Sequence, residues 1–253
     1  MEKVFGYYMS MRGHEPFNKD IDLNGRYIYT GETARKSAIV ANALQSKMVH
    51  QQIELVSCNT LLDLGCGDGT YTHEFLQFPN LRVVGLDPAE KAIAYASQKY
   101  GNEERLTFIS LPIQELISTE QRFDLVVLRG VLHHCDNPAG VVLDASKVTN
   151  SILILEPNGL NPIMKIIEKV SPYHRAHSEK SFTKRKITSW LESADFELVN
   201  YDLGILVPYF FPSRLIPFMI WLEPKIKRIP IIKRFLLGSQ ALLAVKIAKR
   251  TED

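Results

Sequence analysis

Residues 61–70, Leu61-Leu62-Asp63-Leu64-Gly65-Cys66-Gly67-Asp68-Gly69-Thr70, run from an apolar stretch through three alternating glycines into a helix-forming segment. Glycine permits positive φ and lets a ligand approach the backbone closely. A turn that opens at a helix N-terminus favours a negative group such as a carboxylate or phosphate. Eighteen residues past Gly69, the next apolar run, Val83-Val84-Gly85-Leu86, ends in Asp87. An acid at that strand end accepts hydrogen bonds from both hydroxyls of a ribose. Together the two features specify a nucleoside with a charged tail, bound over the carboxyl ends of a doubly wound sheet. The spacing is G-x-G-x-G, not the G-x-G-x-x-G of dinucleotide sites, and Asp63 precedes it. A carboxylate there suits a cationic amino group and conflicts with a pyrophosphate, which argues against an NAD(P) oxidoreductase.

The elements that must position these residues are short apolar runs alternating with helical stretches. Strands are expected over Thr60–Leu64, Arg82–Asp87, Leu106–Ser110, Leu125–Arg129 and Ile152–Glu156. Helices are expected over Thr70–Leu76, Glu90–Tyr100 and Ala139–Val148. The strands read as near-continuous Leu/Val/Ile runs, the pattern of a sheet covered on both faces. A helix starts near Glu32 and runs toward Leu55; a helix over Thr183–Ser193 and a strand over Leu198–Leu206 follow the core. Ala241–Ile247 reads as a last strand, with helix as the alternative. The fold class is therefore α/β: a doubly wound, mostly parallel sheet with helices on both faces. Residues 1–59 form an N-terminal extension or lid, 60–206 the core, 207–238 an apolar and basic cap insertion, and 239–253 the final strand and tail.

Asp63, Gly65, Gly67 and Gly69 resemble the D-x-G-x-G-x-G signature of class I (Rossmann-like) S-adenosylmethionine-dependent methyltransferases. Phe123–Leu128 followed by Val131-Leu132-His133-His134 looks like that family's fourth strand and its loop, and Ile152–Gly159 like its fifth. The resemblance covers Leu61 to Leu206 and the last strand. It implies S-adenosylmethionine as cofactor, with the Gly65–Gly69 turn, including Cys66 as small filler, around the methionyl part. Asp63 would sit near the ammonium, Asp87 on the ribose, and Leu86 and Pro88 on the adenine. Many relatives carry an acid after the third strand for the adenine amino group; Pro112 stands there, so the Ile113 backbone or Gln114 is expected to read it. Arg129, at the end of the fourth strand, counts with the cofactor-binding residues. His133 and His134 are candidates for acceptor contact or general base, His134 leading by family position. Glu156 faces the acceptor or caps a helix. Residues 173–180 are an acceptor loop or a solvated loop. The polar aromatic N-terminal stretch (His14, Asn18, Asn24, Arg26, Tyr27, Tyr29, Gly31, Thr33) resembles segments that close over cofactor and acceptor.

The chain has 253 residues, 45% hydrophobic and 23% charged, with a net charge of +2. That composition excludes global disorder and gives no electrostatic reason for nucleic-acid binding. Three cysteines without metal-ligand spacing suit a reducing cytoplasm and no metal. The N-terminus lacks a signal-peptide pattern, and no run reads as a membrane span. In the cap, crowded Tyr, Phe, Ile and Trp give way to interleaved Lys and Arg. Ordinary core, a lid or lipid-acceptor pocket, a dimer surface, and peripheral contact at the inner face of a membrane all remain open. The expected function is methyl transfer to a small-molecule or lipid-linked acceptor, O-methylation ahead of C-methylation. The alternative is an inactive S-adenosylmethionine-binding module.

Overall fold

In the computed structural model, the apolar runs expected as strands lie side by side in one seven-stranded sheet of order β3-β2-β1-β4-β5-β7-β6. The structure describes residues 34–170 and 180–247, together with Asn18, Lys19, Ile21, Asp22 and Tyr27. The expectations for 173–179 and for His14, Asn24, Arg26, Tyr29, Gly31 and Thr33 lie outside the described residues. Strands β1 (Thr60–Leu64), β2 (Arg82–Leu86), β3 (Leu106–Ile109), β4 (Leu125–Arg129) and β5 (Ser151–Pro157) are mutually parallel. The sequence run Ala241–Ile247 resolves as a strand, β7 (Ser239–Lys246), antiparallel to both β5 and β6 (Phe196–Gly204).

Two apolar layers cover the sheet, and neighbouring residues of one strand feed opposite layers. Leu62, Leu64, Val126 and Ile154 join one; Leu61, Val127, Leu153 and Leu155 join the other. In β7, Leu242 and Ala244 face the first layer and Ala241 and Leu243 the second. This period of two is the reason the Ala/Leu-rich run is a strand. Helix α1 (Lys36–Ile53) packs Met48, Val49 and Ile53 on the second layer. After the glycine turn come α2 (Thr70–Glu74) and a 3-10 turn, then α3 (Glu90–Tyr100), α4 (Ile113–Ile117) and α5 (Pro138–Ala145) between successive strands. Helix α6 (Pro162–Val170) follows β5, and α7 (Lys184–Ser193) precedes β6. The chain leaves the sheet after Gly204 and returns at Ser239; between them lie α8 (Ile216–Lys227) and α9 (Pro230–Leu236). Ile205, at the exit, has φ +70°, a left-handed conformation costly for a β-branched residue.

Strand register sets the level of every loop. Asp63 pairs with Gly85, Leu64 with Leu86, and Arg129 with Leu155, so β1, β2, β4 and β5 end together at one edge of the sheet. The strand order reverses between β1 and β4, the topological switch point where open α/β sheets hold ligands.

Beneath that edge, the Asp63 carboxylate is buried and accepts the Thr72 hydroxyl at 2.6 Å. Burial pushes its pKa up to about 6, against the Thr72 bond and the Arg129 charge, which pull it down. Below pH 6 the folded protein therefore holds a proton that the unfolded chain, near 3.8, releases. This group adds stability as pH falls from about 6 to about 4 and withdraws it as pH rises. Asp63→Asn should remove the effect. The excess unfolding free energy of wild type over the variant should rise by up to about 3 kcal/mol between pH 7 and pH 4, measured by urea titration. His50, held down to about 4 by burial and Arg129, tilts both curves the opposite way and cancels in the comparison. A pH-independent difference would contradict the assignment.

Candidate active site

The ends of β1, β2, β4 and β5 surround a cavity of about 580 Å³. Gly65, Cys66, Gly67, Asp68 and Asp87 line it on the β1–β2 side; Arg129, His133, His134 and Glu156 line it on the β4–β5 side. Gly65 and Gly67 adopt left-handed φ values of +83° and +55°. A Cβ at Gly65 would fall 2.5 Å from Val131, and one at Gly67 2.4 Å from the Tyr27 ring. Any side chain at either position would strain the backbone and crowd the cradle. The Gly65 and Cys66 amides donate to the Leu86 carbonyl at 2.7 and 3.2 Å. The Gly67 amide donates to Asp87 Oδ2 at 2.9 Å, and the Ala89 amide to Oδ1 at 2.8 Å. A carboxylate has about four acceptor positions, so one that organises two amides is also chemically suited to the two hydroxyls of a ribose.

The opposite wall centres on a buried carboxylate. Glu156, at the carboxyl end of β5, accepts the Leu132 amide through Oε1 at 2.8 Å and His133 Nδ1 through Oε2 at 2.8 Å. A charged group this deep is tolerated only when hydrogen-bonded, and both its oxygens are engaged. The carboxylate can only accept, so it places a proton on Nδ1 and makes Nε2 the basic nitrogen of His133. The His133 and His134 rings lie 4.0 Å apart. Both belong to the 3-10 turn Leu132–His134 that follows β4.

Arg129 ties the walls to the helix above them. Its guanidinium lies 3.6 Å from the Tyr71 ring centre, donates to Ser46 Oγ at 3.0 Å and to the Asn42 carbonyl at 3.2 Å, and stands 3.7 Å from Glu74. The Tyr209 hydroxyl, from the start of the cap, donates to Asn42 Oδ1 at 2.9 Å. Helix α1 is thereby fastened both to β4 and to the cap. The far half of the cavity is apolar: Ile163, Met164 and Ile167 of α6 face it, with Met219, Leu222 and Ile226 of α8.

Of the residues expected from sequence, Gly65, Cys66, Gly67, Asp87, Arg129, His133 and His134 meet in this one cavity. Gly69 stands just outside as the left-handed N-cap of α2. Five others stand away from the cavity lining. The Asp63 carboxylate lies beneath the turn on Thr72 and does not line the cavity; Asp68 does. Leu86 is fully buried in the core, and Pro88 sits beside the cavity without lining it. Ile113 is a core residue of α4, and the Gln114 amide donates to Asp144 at 2.8 Å; neither lines the cavity. Helix α6 is a sequence miss with a legible signal. Asn161 precedes Pro162, and its side chain accepts the Ile163 and Met164 amides, a helix start with proline at the first position.

The glycine cradle, the Asp87 carboxylate beside it and the cavity above them fit S-adenosylmethionine. A methyltransferase-domain family model matches residues 56–195, more than half of the chain. The malonyl-[acyl-carrier protein] O-methyltransferase of Legionella pneumophila is 30% identical over 91 residues, 36% of this chain and 32% of that protein. The tRNA U34 carboxymethyltransferase of Ectopseudomonas mendocina is 34% identical over 100 residues, 38% of this chain and 31% of that protein. The chain thus spans about a third of the length of these relatives. Among solved structures, magnesium protoporphyrin IX methyltransferase from Synechocystis with bound SAH superposes with TM-score 0.62 at 16% identity, over 92% of this chain and 97% of that one. The N-methyltransferase NodS from Bradyrhizobium japonicum superposes with TM-score 0.56 at 13% identity, over 82% of this chain and 88% of that one. With its strand order, glycine turn and matched domain, the chain belongs to the class I S-adenosylmethionine-dependent methyltransferase family.

Proposed function

We propose that this protein methylates a hydroxyl oxygen of an amphiphilic, lipid-linked acceptor. The observation that carries the reading is the Glu156–His133 pair, which faces the same cavity as the glycine turn and Asp87. When bound, S-adenosylmethionine supplies a methyl group activated by its sulfonium, so the leaving group needs no help from the protein. What the protein adds is position and a base. A hydroxyl is a poor nucleophile until its proton leaves, and His133 Nε2 accepts that proton as the oxygen gains its methyl group. Glu156 holds the imidazole in the required tautomer and stabilises the charge it acquires. His134, the leading base by family position, takes a lining role here, because Glu156 orients its neighbour. Tyr209 and Arg129 hold α1 over the cavity, which keeps water from the reacting atoms.

The apolar half of the cavity supports the acceptor class. Six Ile, Met and Leu side chains from α6 and α8 would stabilise a hydrocarbon portion far more than a polar one. Cys58, Cys66 and Cys135 are all free thiols, in keeping with a cytoplasmic setting.

Asp87→Ala should weaken S-adenosylhomocysteine binding about tenfold or more, since it removes hydrogen bonds to a charged acceptor. Calorimetry reads this directly, and unchanged affinity would overturn the assignment of the ribose to Asp87. His133→Ala should slow methyl transfer to lipid-extract acceptors by about a hundredfold or more, with S-adenosylhomocysteine affinity within about threefold of wild type. His134→Ala should retain most of the turnover. If the two histidine variants exchange these phenotypes, His134 is the base. If neither slows transfer, the acceptor needs no base and O-methylation on this scheme fails.

A further inference from the structure

Helices α8 and α9 carry more bare apolar surface than a solvent-facing cap requires. Trp221 is 58% exposed and Ile231 71%, with Phe218, Ile229 and Phe235 also exposed beside them. On α6, across the cavity mouth, Ile166 is 59% exposed. Helix α8 is apolar around most of its circumference: Ile216 and Ile226 are buried inward, while Phe218, Ile220 and Trp221 point outward. A helix of that kind is normally covered by protein or lipid.

The charge on this face identifies what covers it. Between Ile205 and Gly238 there are six basic residues (Arg214, Lys225, Lys227, Arg228, Lys233, Arg234) and one acid, Glu223. Glu223 is turned inward, accepting the Leu206 amide at 2.9 Å, and the Lys227 ammonium stands 3.7 Å from it and 3.4 Å from Asp202, which leaves the other five basic residues for the face. Lys225 lies over the Trp221 ring, so a cation and an indole share one patch. A second copy docked face to face about a two-fold axis would set this cationic surface against itself. An anionic lipid surface would match both components, taking the aromatic and aliphatic side chains into the interface and the cations against its headgroups. No helix among the described residues is long and apolar enough to cross a membrane.

The cavity opens onto the same face. Ile163 of α6 and Leu236 of α9 each line the cavity and are also exposed, at 47% and 39%, so they form its rim. The rim is held firmly. The Asn158 amide donates to the Arg234 and Leu237 carbonyls at 2.8 Å, and the Asn161 amide to the Leu236 carbonyl at 3.0 Å, which ties the end of α9 to the loop after β5.

We infer that α6, α8 and α9 form a docking face for an anionic bilayer surface, with the cavity mouth opening into the lipid. The docking face stands on exposure and charge alone; only the entry of the acceptor from the bilayer rests on the proposed transfer. The test is flotation of the full chain with vesicles of phosphatidylcholine alone or with a third of phosphatidylglycerol, without S-adenosylmethionine. Binding should be about tenfold or more tighter to the anionic vesicles and should weaken with salt. Phe218→Ser with Trp221→Ser, and separately Lys225→Glu with Arg228→Glu, should each lower it about tenfold or more. Both pairs should keep wild-type S-adenosylhomocysteine affinity, which shows the fold intact and separates failure of docking from failure of the cofactor site. Equal binding to both vesicle types, or none, overturns the inference. So does a dimer in sedimentation that the same substitutions split, since the face would then belong to a second copy.

Discussion

The hydrogen bond from the Gly67 amide to the Asp87 carboxylate is the constraint on which the site depends. It joins the first crossover to the end of the neighbouring strand, and it forms only because β1 and β2 end in register, Leu64 against Leu86. The Gly65 and Cys66 amides complete the closure by converging on the Leu86 carbonyl. Without these bonds the glycine-rich turn would be free to sample many conformations, since glycine backbone is permissive. Once it is pinned, its outer surface is a concave strip of backbone beside a carboxylate, and the chemistry of a nucleoside site follows from that shape.

A second buried carboxylate organises the other wall. Glu156 is held by one backbone amide and one imidazole, and removing either partner would leave a deep charge poorly paired. That cost fixes the 3-10 turn after β4 relative to the end of β5 and orients the His133 ring. Two carboxylates at two strand ends thus set the two halves of the site. The switch point between β1 and β4 lies between them. Helix α1, fastened by Arg129 and Tyr209, closes the space above.

Much of this was legible because the relevant signals are local. The five parallel strands are short, fully covered apolar runs, and the glycine turn with its two acids is contiguous or nearly so in sequence. What escaped depends on contacts between distant positions. Gln114, expected from sequence to read the adenine, has its amide on Asp144, a contact that exists only once α4 and α5 pack. Asp63 is the carboxylate that the sequence sets beside the glycine turn; its side chain lies beneath the turn on Thr72, while Asp68, to which the motif gives no role, lines the cavity. His133 and His134 are neighbours of the same type, and only the direction of a 3-10 turn places the first on Glu156. β7 was ambiguous because alanine and leucine favour helix, while its alternation between two apolar layers settles it as strand.

A crystal structure of the full chain with bound S-adenosylhomocysteine tests the central claim most directly. The account predicts both ribose hydroxyls on Asp87, the amino-acid tail along the Gly65–Gly67 strip, and the sulfur facing the His133 side of the cavity. A nucleoside bound with its ribose away from Asp87, or with its sulfur pointing away from His133, would contradict it.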